Sequence, residues 1–242
     1  MAKLVKTFIS LLKALRENAT CAYYNVSAIA VRNNKIVSIG YVGTPSHILE
    51  CKEMHTILES FISFARKKNL SLKEYLEKEK LAPNMRQILI FLKYNNELHK
   101  SVSENKSKNI VKIAEKYLSS EEYINQTNGN IFKQLLELLK SKEFEEKVKN
   151  RSLSDYDIAK SFNFIHSKYE IHAEQNCLSY LSNEEGIDEF YCSHLPCFEC
   201  AKLLILYKVK KLYYLEEYVD KRFQDTSEKF LKSLGIEAIK FN

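Results

Sequence analysis

Glycine and proline are scarce in this sequence, with five and three residues among 242, and they are unevenly placed. Gly40, Gly43, Pro45, Gly186, Pro196 and Gly235 lie toward the two ends, while between His47 and Glu185 only Pro83 and Gly129 occur. A middle so poor in turn formers argues against many short strands and for helices. Long apolar runs are also missing, since no stretch reaches the roughly 20 residues that a membrane-spanning helix needs. The opening residues, 1–6, lack the apolar core and small-residue cleavage site of a secretory leader, so a cytoplasmic protein is expected. In that compartment six cysteines fit thiols and metal ligands better than three disulfides. Charge of one sign is not in large excess: the net +6 comes mostly from lysines interleaved with glutamates on helical stretches such as 71–80. That pattern reads as a solvated helix surface, not a nucleic-acid stripe. A mild basic excess still favours an anionic small substrate.

What is present is enough apolar material for a sizeable core, 45% hydrophobic and 12% aromatic residues. Leu4, Val5, Phe8, Leu11, Leu12 and Leu15 recur at helical spacing and predict an amphipathic first helix. Residues 26–32 and 35–42 are β-rich runs joined by Asn33-Asn34, a two-residue hairpin turn. From His172 onward the pattern alternates: helix 172–181, strand 188–193, helix 197–207, strand 211–215, helix 227–234 and strand 236–241. Residues 1–51 and 166–242 therefore read as one α/β domain, a mixed sheet with helices on both faces. Residues 52–165 read as an inserted helical subdomain, with breaks expected near Pro83, at 101–107 and at 125–130. The run 88–92, apolar all round, suggests a helix buried between layers.

Two short motifs carry the chemistry. His172-Ala173-Glu174 is followed by Pro196-Cys197-Phe198-Glu199-Cys200, the H-x-E and P-C-x-x-C pair of zinc-dependent nucleobase deaminases. One imidazole and two thiolates make a three-ligand zinc set with a fourth position open, the arrangement of a catalytic zinc. A zinc-held water is acidified toward neutrality. Glu174, two residues from the histidine, is placed to move protons and is not needed as a ligand. Both motifs fall at predicted helix N-termini, whose partial positive charge favours thiolates. Cys177 and Cys192 read as core residues and His99 as exposed.

On these residues the chain resembles the cytidine and deoxycytidylate deaminases, above all the dCMP deaminases. The resemblance covers 1–51 and 166–242 and rests also on Gly40-Tyr41-Val42-Gly43-Thr44-Pro45, on Gln175-Asn176 after the first motif and on Ala201-Lys202 after the second. It implies a three-layer α/β/α sandwich with a five-stranded mixed sheet, and hydrolytic deamination of a cytosine nucleotide, dCMP to dUMP, with release of ammonia. It implies Glu174 as the proton shuttle between N3 and the departing amine. It implies Ala173, Val42, Gly43, His194, Tyr218 and Arg222 as substrate contacts, with the Ala173 N–H toward the base carbonyl. Three positions depart from the family: Val42 stands in place of an asparagine that contacts the sugar, Ser27 in place of a glycine, and Tyr23 in place of a phosphate-binding arginine. Lys221 or Arg222 would then supply the phosphate contact. The phage-type members imply a second, structural zinc at Cys21, Cys51, His166 and Glu170, with His47 and His55 as substitutes for His166. A nucleotide effector and a homo-oligomer are also implied, the insertion capping the site or forming the interface. Two alternatives remain open on the sequence: a deaminase acting on a base within RNA or DNA, and a non-catalytic regulatory protein on the same scaffold.

Overall fold

The structure, a computed structural model, describes residues 2–22, 24–78, 85–94, 104–149, 168–217 and 224–241. Two compact units are present, Met1–Gly43 with Glu170–Asn242, and Thr44–Tyr169. Among the described residues no helix is long and apolar enough to cross a membrane.

The first unit is built on a five-stranded sheet. β1 (Ser27–Arg32) and β2 (Lys35–Tyr41) form the hairpin, with Asn33 and Asn34 at φ 50° and 58°. Asparagine tolerates that left-handed region, so the tight turn forms without glycine. β3 (Ile187–His194), β4 (Val209–Glu216) and β5 (Glu237–Lys240) complete the order β2-β1-β3-β4-β5. β1 runs antiparallel to β2 and β3, whereas β3, β4 and β5 are mutually parallel. This is the expected mixed sheet.

Period-2 alternation sorts its side chains into two cores. Ile29 and Val31 of β1 and Tyr191 of β3 pack with Phe8, Ile9, Leu12 and Leu15 of α1 (Ala2–Leu15). Ala28, Ala30, Phe190, Cys192, Leu212 and Tyr214 point the other way, into a cluster with Ala173, Cys177, Ala201, Leu204 and Leu231. Those come from the helices on the second face, numbered below as α8 (Ala173–Leu178), α9 (Phe198–Leu206) and α10 (Gln224–Ser233). Helix, sheet and helix make the three layers. Ser27, unexpected in a strand position where a glycine is usual, has a structural use: its hydroxyl donates to the Leu12 carbonyl at 2.7 Å and ties α1 to β1.

The second unit contains α2 (Cys51–Lys67), α3 (Leu72–Lys78), α4 (Met85–Tyr94), α5 (Glu104–Leu118), α6 (Gln126–Lys140) and α7 (Lys142–Lys149). Phe61, Phe64, Tyr75 and Phe91 meet at its centre. Two expectations are corrected. The break at 125–130 is a helix start: the Asn125 side chain accepts from the Asn128 N–H at 2.8 Å and caps α6, which runs through Gly129. Asn128 is fully buried because its amide binds the Leu49 N–H and the carbonyls of His47 and Tyr123. And the run 88–92 is not buried all round, since Ile88, Leu89 and Leu92 face inward while Ile90 is 43% exposed. Pro83 and His99 lie outside the described residues.

One ionic cluster organises the start of α2. Lys116 donates to Glu53 at 2.7 Å and to Glu50 at 3.2 Å, and the Tyr117 hydroxyl donates to the other Glu53 oxygen. Burial and the neighbouring Glu53 push the Glu50 carboxyl above its usual range. Burial opposes the Lys116 charge, but the bonds to Glu53 and Glu50 outweigh it and raise its pKa, so this contribution is fully present below the usual lysine range and is lost above it. Lys116→Met leaves two carboxylates facing each other without their cation. Lys116 is about a third exposed, so we expect a loss of about 1–2 kcal/mol at neutral pH, below the cost of breaking a fully buried pair. Because the folded state holds the proton on the Glu50 carboxyl more tightly than the unfolded chain does, the deficit in Tm should shrink on acidification. A deficit that grows on acidification would show that repulsion within the pair is not its source.

Candidate active site

The site is assembled at the ends of β2 and β3. After β2, Gly43 and Ile171 exchange backbone hydrogen bonds in an isolated antiparallel bridge, 3.2 Å and 2.8 Å. The bridge sets the backbone just before His172. His172 is the N-cap of α8, and its N–H donates to the Gln175 side chain at 3.0 Å. The Asn176 amide donates to the Tyr41 carbonyl at 2.7 Å. Gly40 lets this short helix lie directly on β2: a Cβ there would stand 2.4 Å from both the Ala173 oxygen and the Cys177 nitrogen. On the other side β3 ends at His194, and Leu195-Pro196 lead to Cys197, the N-cap of α9, with Cys200 in its first turn.

His172, Cys197 and Cys200 are thereby brought together, with ligand atoms all within 4.8 Å of one another. His172 Nδ1 lies 3.5 Å from the Cys197 sulfur and 3.4 Å from the Cys200 sulfur. A tetrahedral zinc with Zn–S near 2.3 Å and Zn–N near 2.0 Å requires an N···S separation of about 3.5 Å, so the donors fit that ion in kind and in spacing. Their protonation points the same way. The Cys200 thiol and the His172 imidazole hold the Cys197 thiol down to about 4. The same pairing pushes the Cys200 thiol upward and raises His172 to about 9. Such an electron-rich set binds a divalent cation by releasing its protons.

Glu174 is 1% exposed, and its Oε1 is buried without a hydrogen-bond partner. Burial raises its carboxyl above the usual range, against the pull of His172. A buried, unpartnered carboxylate oxygen costs stability and is kept where a reacting group will meet it. Cys177 and Cys192 are fully buried, as expected of core residues, and burial raises both thiols.

The other expected site residues fare differently. Val42 is buried in the apolar cluster, its N–H on the Val26 carbonyl and its own carbonyl accepting from the Thr20 N–H. Gly43 is occupied with Ile171. His194 is buried at the end of β3, with Nε2 3.3 Å from Glu216 and Nδ1 3.4 Å from the Ser193 hydroxyl. Burial lowers it to about 4, so it is a neutral imidazole. Arg16 pairs with the same Glu216 and donates to the Asn25 carbonyl at 2.9 Å. This Arg16–Glu216–His194 group was not foreseen from the sequence, because its members are up to 200 residues apart. Tyr218, Lys221, Arg222 and Tyr23 lie outside the described residues. Of the second ligand set, Cys21 and Glu170 belong to the first unit, Cys51 opens α2 in the second, and His166 is outside the described residues. Cys21 accepts the Tyr24 N–H at 3.2 Å. His47 turns Nε2 to Glu122 at 3.2 Å and packs on Tyr123, and His55 is half-buried on α2.

Residues 142–216 match the family model described as the cytidine and deoxycytidylate deaminase zinc-binding region. A protein of Drosophila melanogaster described as a probable deoxycytidylate deaminase is 34% identical over 74 residues, 28% of this chain. The chain spans about a third, 35%, of the length of that curated relative. Two solved structures of the dCMP deaminase from the cyanophage S-TIM5 align with all of this chain. The apo form gives 17% identity and a TM-score of 0.46 over 99% of its own chain, and the form with dCMP and dUMP gives 16% and 0.47 over 98%. Sequence motif, donor geometry and family match converge on one segment: residues 142–216 are similar to the zinc-binding region of the cytidine and deoxycytidylate deaminases.

Proposed function

We propose that this protein is a zinc-dependent hydrolase that deaminates a cytosine nucleotide, dCMP to dUMP, releasing ammonia. The observation that carries the reading is the pairing of a zinc-compatible His172, Cys197 and Cys200 set with a buried Glu174 whose Oε1 has no protein partner. Bound zinc would supply Lewis acidity, making a water a nucleophile near neutral pH. The remaining work falls to the chain. Glu174 takes the proton released by the attacking water and gives it to N3 of the ring, then takes the second proton from the oxygen now on C4 and delivers it to the exocyclic nitrogen, which leaves as ammonia while C4 keeps the oxygen as a carbonyl. Its raised carboxyl suits it to hold that proton between the two transfers. The Ala173 N–H, at the first helical position of α8, has no intrahelical acceptor and is free in that sense to receive the base carbonyl. Burial of the carboxylate excludes bulk water from the exchange.

Ammonia release from a panel of cytosine and adenine nucleosides, nucleotides and oligonucleotides tests the reading. Preference for dCMP supports it. Preference for oligonucleotides would move the function to bases in RNA or DNA, and no turnover by zinc-replete protein would leave a regulatory scaffold. A second zinc at Cys21, Cys51, Glu170 and His166 is part of the proposal and rests on the resemblance. Metal analysis should then give two zinc atoms per chain, falling by one in Cys21→Ala with a lower Tm. One zinc per chain, unchanged in that variant, removes it.

A further inference from the structure

His194 ends β3 three residues before Cys197, is 4% exposed, and takes no step in the chemistry above. A polar chain runs through it. Arg16 donates through Nη1 and Nη2 to the two carboxylate oxygens of Glu216, the last residue of β4, and through Nε to the Asn25 carbonyl at 2.9 Å. Glu216 Oε2 lies 3.3 Å from His194 Nε2, and the Glu216 carbonyl accepts the Leu195 N–H at 2.8 Å. One residue therefore grips two consecutive positions on the way to Cys197. On the other side of the ring, Nδ1 lies 3.4 Å from the Ser193 hydroxyl oxygen, which already accepts the Ser27 N–H at 3.0 Å. The Tyr24 ring packs against the imidazole at a steep angle, centroids 5.6 Å apart.

A neutral imidazole carries one N–H and one bare nitrogen, and burial keeps His194 neutral. A carboxylate only accepts, so the N–H belongs on Nε2; a bare nitrogen there would set a lone pair against a charge. Ser193 accepts from Ser27 and has its O–H left for Nδ1. We propose that Glu216, steadied by Arg16, is the positioning residue of His194: it fixes the Nε2–H tautomer, pins the end of β3 and so sets where residues 195–197 deliver the Cys197 sulfur to the metal set. Pro196 makes that short connection stiff, since its ring fixes φ. The sequence alone shows none of this, because Arg16, His194 and Glu216 come from three separate elements. The zinc part of this inference rests on the zinc-dependent reading above, while its tautomer part does not.

The test uses the full-length protein loaded with zinc at neutral pH. Long-range proton–nitrogen NMR reads the histidine tautomers, with His194 assigned as the signal lost in His194→Gln. The wild type should show His194 as Nε2–H. Glu216→Leu should lose that fixed tautomer and hold zinc roughly 10-fold less tightly against a competing chelator, the low end of the effect of outer partners of a metal site. Glu216→Gln, which keeps an acceptor oxygen, should restore most of both. Arg16→Met should move both readouts in the direction of Glu216→Leu. Glu217→Leu, which breaks the neighbouring ion pair with Lys240, controls for general loosening and should hold zinc as the wild type does. A proton on Nδ1 in the wild type would overturn the proposal, as would an unchanged tautomer in Glu216→Leu or zinc held as tightly there as in Glu217→Leu. If Glu216→Leu does not fold, the wild-type tautomer and Arg16→Met still decide. If the protein takes up no zinc, the zinc-dependent reading fails by itself and the tautomer still decides whether Glu216 holds His194.

Discussion

Glu174→Gln should abolish measurable turnover while zinc content stays at the wild-type level. The side chain keeps its volume and loses only the capacity to take up and give back a proton, a contribution usually of about 10²–10⁴-fold. Zinc should be retained because the donor atoms are His172 Nδ1 and the two sulfurs, with the carboxylate outside the set. The same variant should also be no less stable, and an increase in Tm is expected. Oε1 is buried without a partner, and an unsatisfied buried polar group costs about 1–3 kcal/mol, more for a charge. Removing the charge relieves part of that cost, which is the usual exchange of stability for activity at a site. Loss of zinc together with activity would make Glu174 a ligand or a structural support, and the assigned role would be wrong.

Much of this arrangement could be read in the sequence because its information is local. His172 and Glu174 are two residues apart, and Cys197 and Cys200 sit three apart across the first turn of α9, so spacing alone places them. The three layers were legible for a similar reason: Ala28-Ile29-Ala30-Val31 carries apolar residues to both faces, which only a sheet covered twice can bury. What escaped was the set of contacts that join distant segments. Arg16 reaches Glu216 across 200 positions, and the same Glu216 meets His194 at the end of β3. In the helical unit, Asn125 to Asn130 has the composition of a loop, yet Asn125 is a cap and Asn128 a buried tie. Side-chain amides compete for backbone groups in either state, and composition does not say which partner wins.

Gly40→Ala should cost the protein its site as well as part of its stability. The added methyl would lie 2.4 Å from the Ala173 oxygen and from the Cys177 nitrogen, and 2.9 Å from the Cys177 Cα. All three are backbone atoms of α8, so no side chain can rotate away; the helix must move off β2. Relief to ordinary contact requires a shift of about 1 Å, and a displacement of that size at a reacting centre can cost on the order of 100-fold in rate. The same movement carries His172 away from two sulfurs anchored on α9, so zinc should be lost more readily to a competing chelator. Two other glycines give the contrast. At Gly43 the nearest obstacle is the Thr20 hydroxyl at 2.9 Å, a side chain that can turn, so Gly43→Ala should be much milder. At Gly129, in α6, nothing lies within 4 Å, and Gly129→Ala should stabilise by about 0.5–1 kcal/mol through helix propensity. Chelator competition and Tm for the three variants side by side would decide the matter. If Gly40→Ala holds zinc and turns over substrate within a factor of about two of the wild type, a margin of under 0.5 kcal/mol, then close packing of α8 on β2 is not what positions the metal set.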